Sequence, residues 1–232
     1  MSHRNRYRKI ATSVADELAE NASVDAILLV GSTTTGYADE YSDIDIEVLG
    51  GIDAGQRSVE GVHVEWTPVT RSELTEPLEE WTNDTLLYTY AQAELLYDTV
   101  GLGELLARYD NYPPEIRRKK LYAGWFYGSG NVFDAQKAES RGDTVVQRCA
   151  ATRAVEQFAA LAYVLDGNFP PYRKWRFRDL PLELPAIDRA HTGDTEALDT
   201  LATAVEERLR PHLSDERIEK PYLYQPEFDR IG

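Results

Sequence analysis

The stretch "LLVGSTTTGYADEYSDIDIEV", Leu28 to Val48, decides how the chain is read. Its apolar start ends at Gly31 and Ser32, polar turn residues follow, and Asp43 and Asp45 then stand one residue apart in a strand-like segment. Successive side chains of a strand point to opposite faces, so Asp43, Asp45 and Glu47 share one face and Ile44, Ile46 and Val48 the other. The aliphatic face suits packing against helices and leaves the carboxylates open. A solvated strand face would carry the same pattern. Two carboxylates within ~7 Å along one face repel, however, unless something positive sits between them. A hard divalent cation meets that need, because Mg²⁺ takes oxygen ligands and binds one or two carboxylates together with substrate phosphates.

The glycine and serine add a second, independent signal. They follow an apolar strand predicted over Asp25 to Val30 and precede a short helix. Glycine lets backbone approach an anion closely, free N–H groups at a helix start attract phosphate, and Ser32 adds a hydroxyl donor. "VEGVHVEWTPV", Val59 to Val69, reads as one further strand, with His63 and Glu65 on one face and Val62, Val64 and Trp66 on the other. If this strand neighbours the Asp43 strand, Glu65 faces the two aspartates. Three carboxylates around one or two divalent ions suit in-line displacement at phosphorus, with Glu65 completing the metal site, accepting a proton, or both. His63 reads as a bystander.

Outward from this centre, Asn5 to Glu20 has helical spacing through Ile10, Val14 and Leu18, and Ala93 to Tyr97 closes the first half as a last strand. The Pro-Pro pair of "DNYPPEIRRKK" starts a helical second half, in which "ESRGD" separates two long helices and "TGDTEALDTLATAVEERLRPHL" supplies another, begun near Thr192 or Asp194. The expected class is α+β: a small mixed sheet flanked by helices over 1–107, then a helical bundle over 108–232. Arg117 to Lys120 reads as a solvated helix face. "YRKWRFRDL" clusters Arg173, Lys174, Arg176 and Arg178 in an otherwise acidic chain, and Lys174 is expected to face phosphate. Glu156 is a carboxylate within the apolar helix "AVEQFAALAYVL". Trp125, Tyr127, Tyr163 and Trp175 read as packing residues that could also frame a pocket.

Composition bounds the partners. The 40 acidic against 25 basic residues give a formal charge of -15, which argues against broad nucleic-acid binding. Only six residues are Lys, a balance suited to a cytoplasm of high salt. The single Cys149 excludes an intrachain disulfide and a cysteine-based zinc cage, and its helical surroundings predict a packed thiol. No apolar run approaches the ~20 residues of a membrane span, and "MSHRNRYRK" leads into a charged helix, so a cytoplasmic protein without a membrane partner is expected.

"GSTTTGYADEYSDID" has Gly-Ser, ten intervening residues and Asp-x-Asp, and resembles the signature of the DNA polymerase β-type nucleotidyltransferase superfamily. The length and helical second half resemble its antibiotic branch, the aminoglycoside and lincosamide adenylyltransferases. The resemblance implies that Gly31 and Ser32 hold a triphosphate, that Asp43, Asp45 and Glu65 bind two Mg²⁺ ions, and that the second domain closes over nucleotide and acceptor. There Lys174 would meet the nucleotide and Glu156 would serve as a general base, as a helical-domain glutamate does in some relatives. It further implies transfer of a nucleoside monophosphate, AMP from ATP, to a hydroxyl of a small acceptor with release of pyrophosphate. The alternative is an antitoxin-like minimal nucleotidyltransferase that binds and modifies a helical protein partner. Acceptor, base preference and oligomeric state, a homodimer included, are left open.

Overall fold

A computed structural model describes residues 3–223 and 226. The chain divides into two compact units, one of residues 1–81 and 86–110, the other of 82–85 and 111–232.

The first unit is a mixed five-stranded sheet with flanking helices. Its order along the chain is α1 (His3–Ala19), β1 (Val24–Val30), α2 (Ser32–Thr35), β2 (Ile44–Gly50), β3 (Gly55–Val59), β4 (Val62–Val69), α3 (Arg71–Glu80), α4 (Asp84–Ala91), β5 (Glu94–Asp98) and α5 (Leu102–Leu106). The strands stand in the order β3-β4-β2-β1-β5, with β2 and β4 parallel and every other pair antiparallel. Tyr7, Ile10 and Val14 of α1 pack with Ile27, Leu29, Ile44, Ile46, Val48 and Val64, so one face of the central strands is closed by a single helix. Central β1 is apolar on both faces, as a strand flanked by neighbours on both edges and covered on both sides requires.

The segment Val59 to Val69 holds the last residue of β3, a turn and the whole of β4, where a single strand was expected. Glu60 and Gly61 both have positive φ, 52° and 79°, the geometry of a two-residue turn whose twist matches that of the strands it joins. Val59 and Val62 pair across the turn and so share a face, three residues apart; this shift of the two-residue period is not visible with a single residue of the first strand inside the segment.

The second unit is helical: α6 (Pro114–Ser140), α7 (Thr144–Asp166), α8 (Arg173–Arg176), α9 (Ile187–Ala190), α10 (Thr195–Leu209), α11 (Asp215–Glu219) and a final 3₁₀ turn (Pro221–Leu223). Asp143 caps α7 by accepting from the Val146 N–H at 3.1 Å, and Asp194 caps α10 by accepting from that of Ala197 at 2.9 Å. Gly128 lets α6 meet α7 closely, since a Cβ there would lie 2.3 Å from the Phe158 ring. Trp125, Tyr163 and Trp175 are buried packing residues.

Two expectations fail here. Cys149 is exposed on α7, because the buried stripe of that helix takes Ala150, Ala151 and Ala154 and turns the thiol outward. Of Arg117 to Lys120, Arg118 is exposed and Lys119 partly so, as a solvated face requires, but Arg117 and Lys120 turn inward. Arg117 donates to the carbonyls of Val164 (2.9 Å) and Leu165 (2.5 Å) at the end of α7. Lys120 is fully buried against Asp84, which stands at the start of α4, with Nζ and Oδ1 2.7 Å apart. Asp84 also accepts from the Tyr112 hydroxyl at 2.6 Å. Among the described residues no helix is long and apolar enough to cross a membrane.

Candidate active site

The two halves of the Gly-Ser and Asp-x-Asp pattern are joined by strand pairing. β1 runs antiparallel to β2 with Val30 opposite Asp45, so the backbone just past the end of β1 returns beside the start of β2. Gly31 is therefore in contact with the Asp45 carboxylate: a Cβ on Gly31 would lie 2.4 Å from Asp45 Oδ2. Its φ of 78° and ψ of -149° belong to a region that essentially only glycine occupies. Both the close approach and the backbone geometry demand glycine at this position.

Ser32 to Thr35 form a single helical turn held from within, the Thr34 hydroxyl donating to the Gly31 carbonyl at 3.0 Å and that of Thr35 to Ser32 at 3.2 Å. The loop that follows is tied down from α1, where Arg4 donates to the Thr34 carbonyl and Tyr7 to that of Asp39, 3.2 and 3.0 Å. Within the loop the Asp39 carboxylate accepts from the Tyr41 N–H and the Ser42 hydroxyl. The ten residues between the two halves of the pattern are thus an ordered bridge of the length the register requires. The Ser32 and Thr33 hydroxyls are buried and have no hydrogen-bond partner among the described residues, an arrangement that native interiors rarely leave unsatisfied and that an anion's oxygens would satisfy.

β4 lies on the other side of β2 in parallel, with Glu65 opposite Asp45 and Val64 opposite Ile44. Ile44 and Val64 are buried in the core, so Asp45 and Glu65 share the opposite face. Asp43 is exposed and stands one residue ahead of β2 instead of inside it. Among the described residues no three His, Cys, Asp or Glu side chains form a ready-made cation cage. The donor set, carboxylates beside a glycine-lined anion cradle, fits a hard cation that takes its remaining oxygens from a phosphate.

Glu47 lies on the same face as Asp45 and pairs with Leu28 and Thr67 of the neighbouring strands. Burial pushes its carboxyl up to about 7, the nearby charges of Asp45 and Glu73 add to the rise, and a hydrogen bond with Tyr90 opposes it. Burial also pushes the Tyr90 hydroxyl well above its ordinary value, aided by the Glu47 charge. Alternation alone placed Glu47 on this face. No sequence signal placed Tyr90 or Glu73 beside it, because they arrive on separate helices.

A raised carboxyl pKa in the fold means that the folded state holds a proton that the unfolded chain has lost between about 4.5 and 7. The stability it contributes is complete below the unfolded value and disappears as pH rises through 7. Glu47→Gln should remove most of this dependence, stabilising the protein at pH 8 by up to about 3 kcal/mol and hardly at all at pH 5. Urea unfolding at the two pH values in EDTA checks it. An equal effect at both would exclude burial of the charge as the cause.

Glu156 and Lys174 belong to the second unit. Glu156 is paired with Arg173 at 3.3 Å, and the Lys174 ammonium lies 4.6 Å from the centre of the Trp175 ring. Of the remaining basic cluster, Arg176 is buried and donates to the Pro171 carbonyl, whereas Arg178 is exposed.

Residues 11–97 match the family model described as a nucleotidyltransferase domain. The match contains Gly31, Ser32, Asp43, Asp45 and Glu65, together with all five strands. Residues 80–176 match a domain of unknown function (DUF4037). The chain is similar in structure to a nucleotidyltransferase-like protein from Exiguobacterium sibiricum 255-15, with a TM-score of 0.49, 16% identity, and coverage of 92% of this chain and 80% of that one. No curated protein matches the chain.

The close approach of Gly31 to Asp45 has a direct test. Gly31→Ala should destabilise the protein by about 2 kcal/mol through the forbidden backbone region and displace the Asp45 carboxylate. Urea unfolding combined with titration of ATP would show both effects, whereas unchanged stability and unchanged ATP affinity would remove Gly31 from the site.

Proposed function

We propose that this chain is a Mg²⁺-dependent nucleotidyltransferase that moves a nucleoside monophosphate, AMP from ATP in the simplest case, onto a hydroxyl of a small acceptor. The observation that carries the reading is the contact between the Gly31 backbone and the Asp45 carboxylate, with the Ser32 hydroxyl buried and unpartnered beside it. It juxtaposes a phosphate cradle and a cation-binding carboxylate in one place.

In this reading Gly31 and Ser32 hold the outer phosphates, while Asp43, Asp45 and Glu65 hold Mg²⁺. The ion supplies positive charge that offsets the charge on the phosphates. The acceptor oxygen forms a bond to the α-phosphorus, the bond from that phosphorus to pyrophosphate breaks, and the hydroxyl proton passes to a carboxylate. Glu65 is the better base because it is exposed on the face shared with Asp45, whereas Glu156 is already engaged by Arg173. Lys174 is assigned to the nucleotide as part of the basic cluster Arg173 to Arg178, and Glu156 enters through the resemblance to the antibiotic-modifying branch. The same resemblance supports the division into 1–107 and 108–232.

The test is a screen of ATP, CTP, GTP and UTP with Mg²⁺ or Mn²⁺ against hydroxylated acceptors. Acceptor-dependent pyrophosphate release is expected, with a product heavier by one nucleotidyl group. Absence of transfer across the panel, with nucleotide still bound, would overturn the catalytic reading and leave a nucleotide-binding domain.

A further inference from the structure

We propose that a groove in the helical unit, along α6 and closed by α11 and the final 3₁₀ turn, binds a small, flat-ringed organic cation. The cavity measures about 930 Å³ and is lined by residues of α6, α7, α10 and α11, within the size range of pockets that hold drug-sized molecules. All of its lining belongs to the second unit.

Its floor is the first argument. Gly130 lies deep inside the 27-residue helix α6, where glycine weakens a helix relative to alanine. At Gly128 the cost has a packing reason, the Phe158 ring. At Gly130 there is none among the described residues, because a Cβ would meet none of their atoms within 4 Å. What the missing side chain leaves is open space in the groove, where a flat ring can lie against the helix.

The walls are the second argument. Phe126 and Tyr127 stand edge to face with ring centres 5.1 Å apart, and Tyr222 lies 73% exposed at the mouth. Trp125 anchors this wall, its indole N–H donating to the Ile218 carbonyl at 3.0 Å and its ring stacked on Phe158. Aromatic faces carry negative charge density and attract cations.

Charge selects the sign of the occupant. Asp134 and Glu219 line the groove, and Arg153 supplies one cation among them. Glu206, the third acid, is already paired with Arg210. The balance is negative, so one or two positive charges on an aromatic ring system match the lining, whereas an aromatic anion does not.

The experiment titrates the intact chain with acridine orange, a flat aromatic cation, followed by fluorescence anisotropy. The aromatic anion 1-anilinonaphthalene-8-sulfonate serves as the counter-probe. Saturable one-to-one binding of the cation and at least tenfold weaker binding of the anion are expected. Gly130→Leu should weaken cation binding about tenfold or more while raising the melting temperature, since it fills the groove and removes a helix-interior glycine. Asp134→Lys/Glu219→Lys should weaken it similarly. Asp16→Lys/Glu20→Lys, an equal charge change on α1 and just beyond its end, should not. Equal loss in both double variants would reduce the binding to general attraction by an acidic protein and overturn the site. So would binding indifferent to Gly130→Leu, or a dimer seen by sedimentation that Gly130→Leu dissociates, which would assign the groove to a second copy of the chain.

Discussion

Asp45→Asn should lower nucleotidyl transfer by about a thousandfold with the fold intact. Asp45 is central to the candidate site, with Val30 opposite on β1, Glu65 opposite on β4, and the Gly31 backbone against its carboxylate. Asparagine keeps the shape and removes the charge. Several kcal/mol of transition-state stabilisation is the usual contribution of a metal at a phosphoryl centre, and each 1.36 kcal/mol is tenfold in rate, so about 4 kcal/mol gives the thousandfold estimate. The loss should appear in kcat, with the nucleotide still bound through the Gly31-Ser32 cradle. Asp43→Asn should act in the same direction. Pyrophosphate release measured beside urea unfolding separates catalysis from folding, and near-wild-type turnover in Asp45→Asn would sink the proposed mechanism.

Lys120→Met should cost about 3–5 kcal/mol of stability, which for a chain of this size lowers the melting temperature by roughly 10 °C. Lys120 and Asp84 are both fully buried and 2.7 Å apart, and Tyr112 donates to the same carboxylate oxygen of Asp84 at 2.6 Å. Burial pushes the Tyr112 hydroxyl far above its ordinary value, with the Asp84 charge as the next cause. Removing the ammonium leaves the buried Asp84 carboxylate without its ion-pair partner, with the Tyr112 hydroxyl and the charge of Arg176 as partial compensation. The paired variant Asp84→Leu/Lys120→Met should recover much of the loss, because neither half of the pair is then left buried without the other. Denaturant unfolding of the two single variants and the double variant measures the coupling directly. Additive losses would show that the pair is not the source.

The legible part of the candidate site was its set of residues. Spacing and alternation singled out Gly31, Ser32, Asp43, Asp45 and Glu65 as candidates, because a strand has a fixed side-chain period and a glycine between a buried strand and a turn has few other uses. The same rule put Glu47 on the carboxylate face. It could not show that helices would bury Glu47 beside Tyr90, since burial of a strand face depends on elements distant in sequence. The hairpin at Glu60-Gly61 escaped because β3, Gly55 to Val59, carries almost no apolar alternation of its own, so the shift of period at the turn had nothing to be read against.

By itself the sequence determined the mixed α/β beginning, the helical continuation, and the residue types of a phosphate and cation site, because these follow from local periodicity and from charge placed where a strand has no use for it. Only the tertiary structure decided which carboxylates meet. The antiparallel pairing of β1 with β2 and the parallel pairing of β2 with β4 set Gly31, Asp45 and Glu65 side by side. It also decided the fate of charges that looked alike in one dimension. Arg117 became a helix cap, Lys120 a buried partner of Asp84, and Glu156 a partner of Arg173. A charged side chain's role is set by the partner and the dielectric around it, and both are supplied by packing.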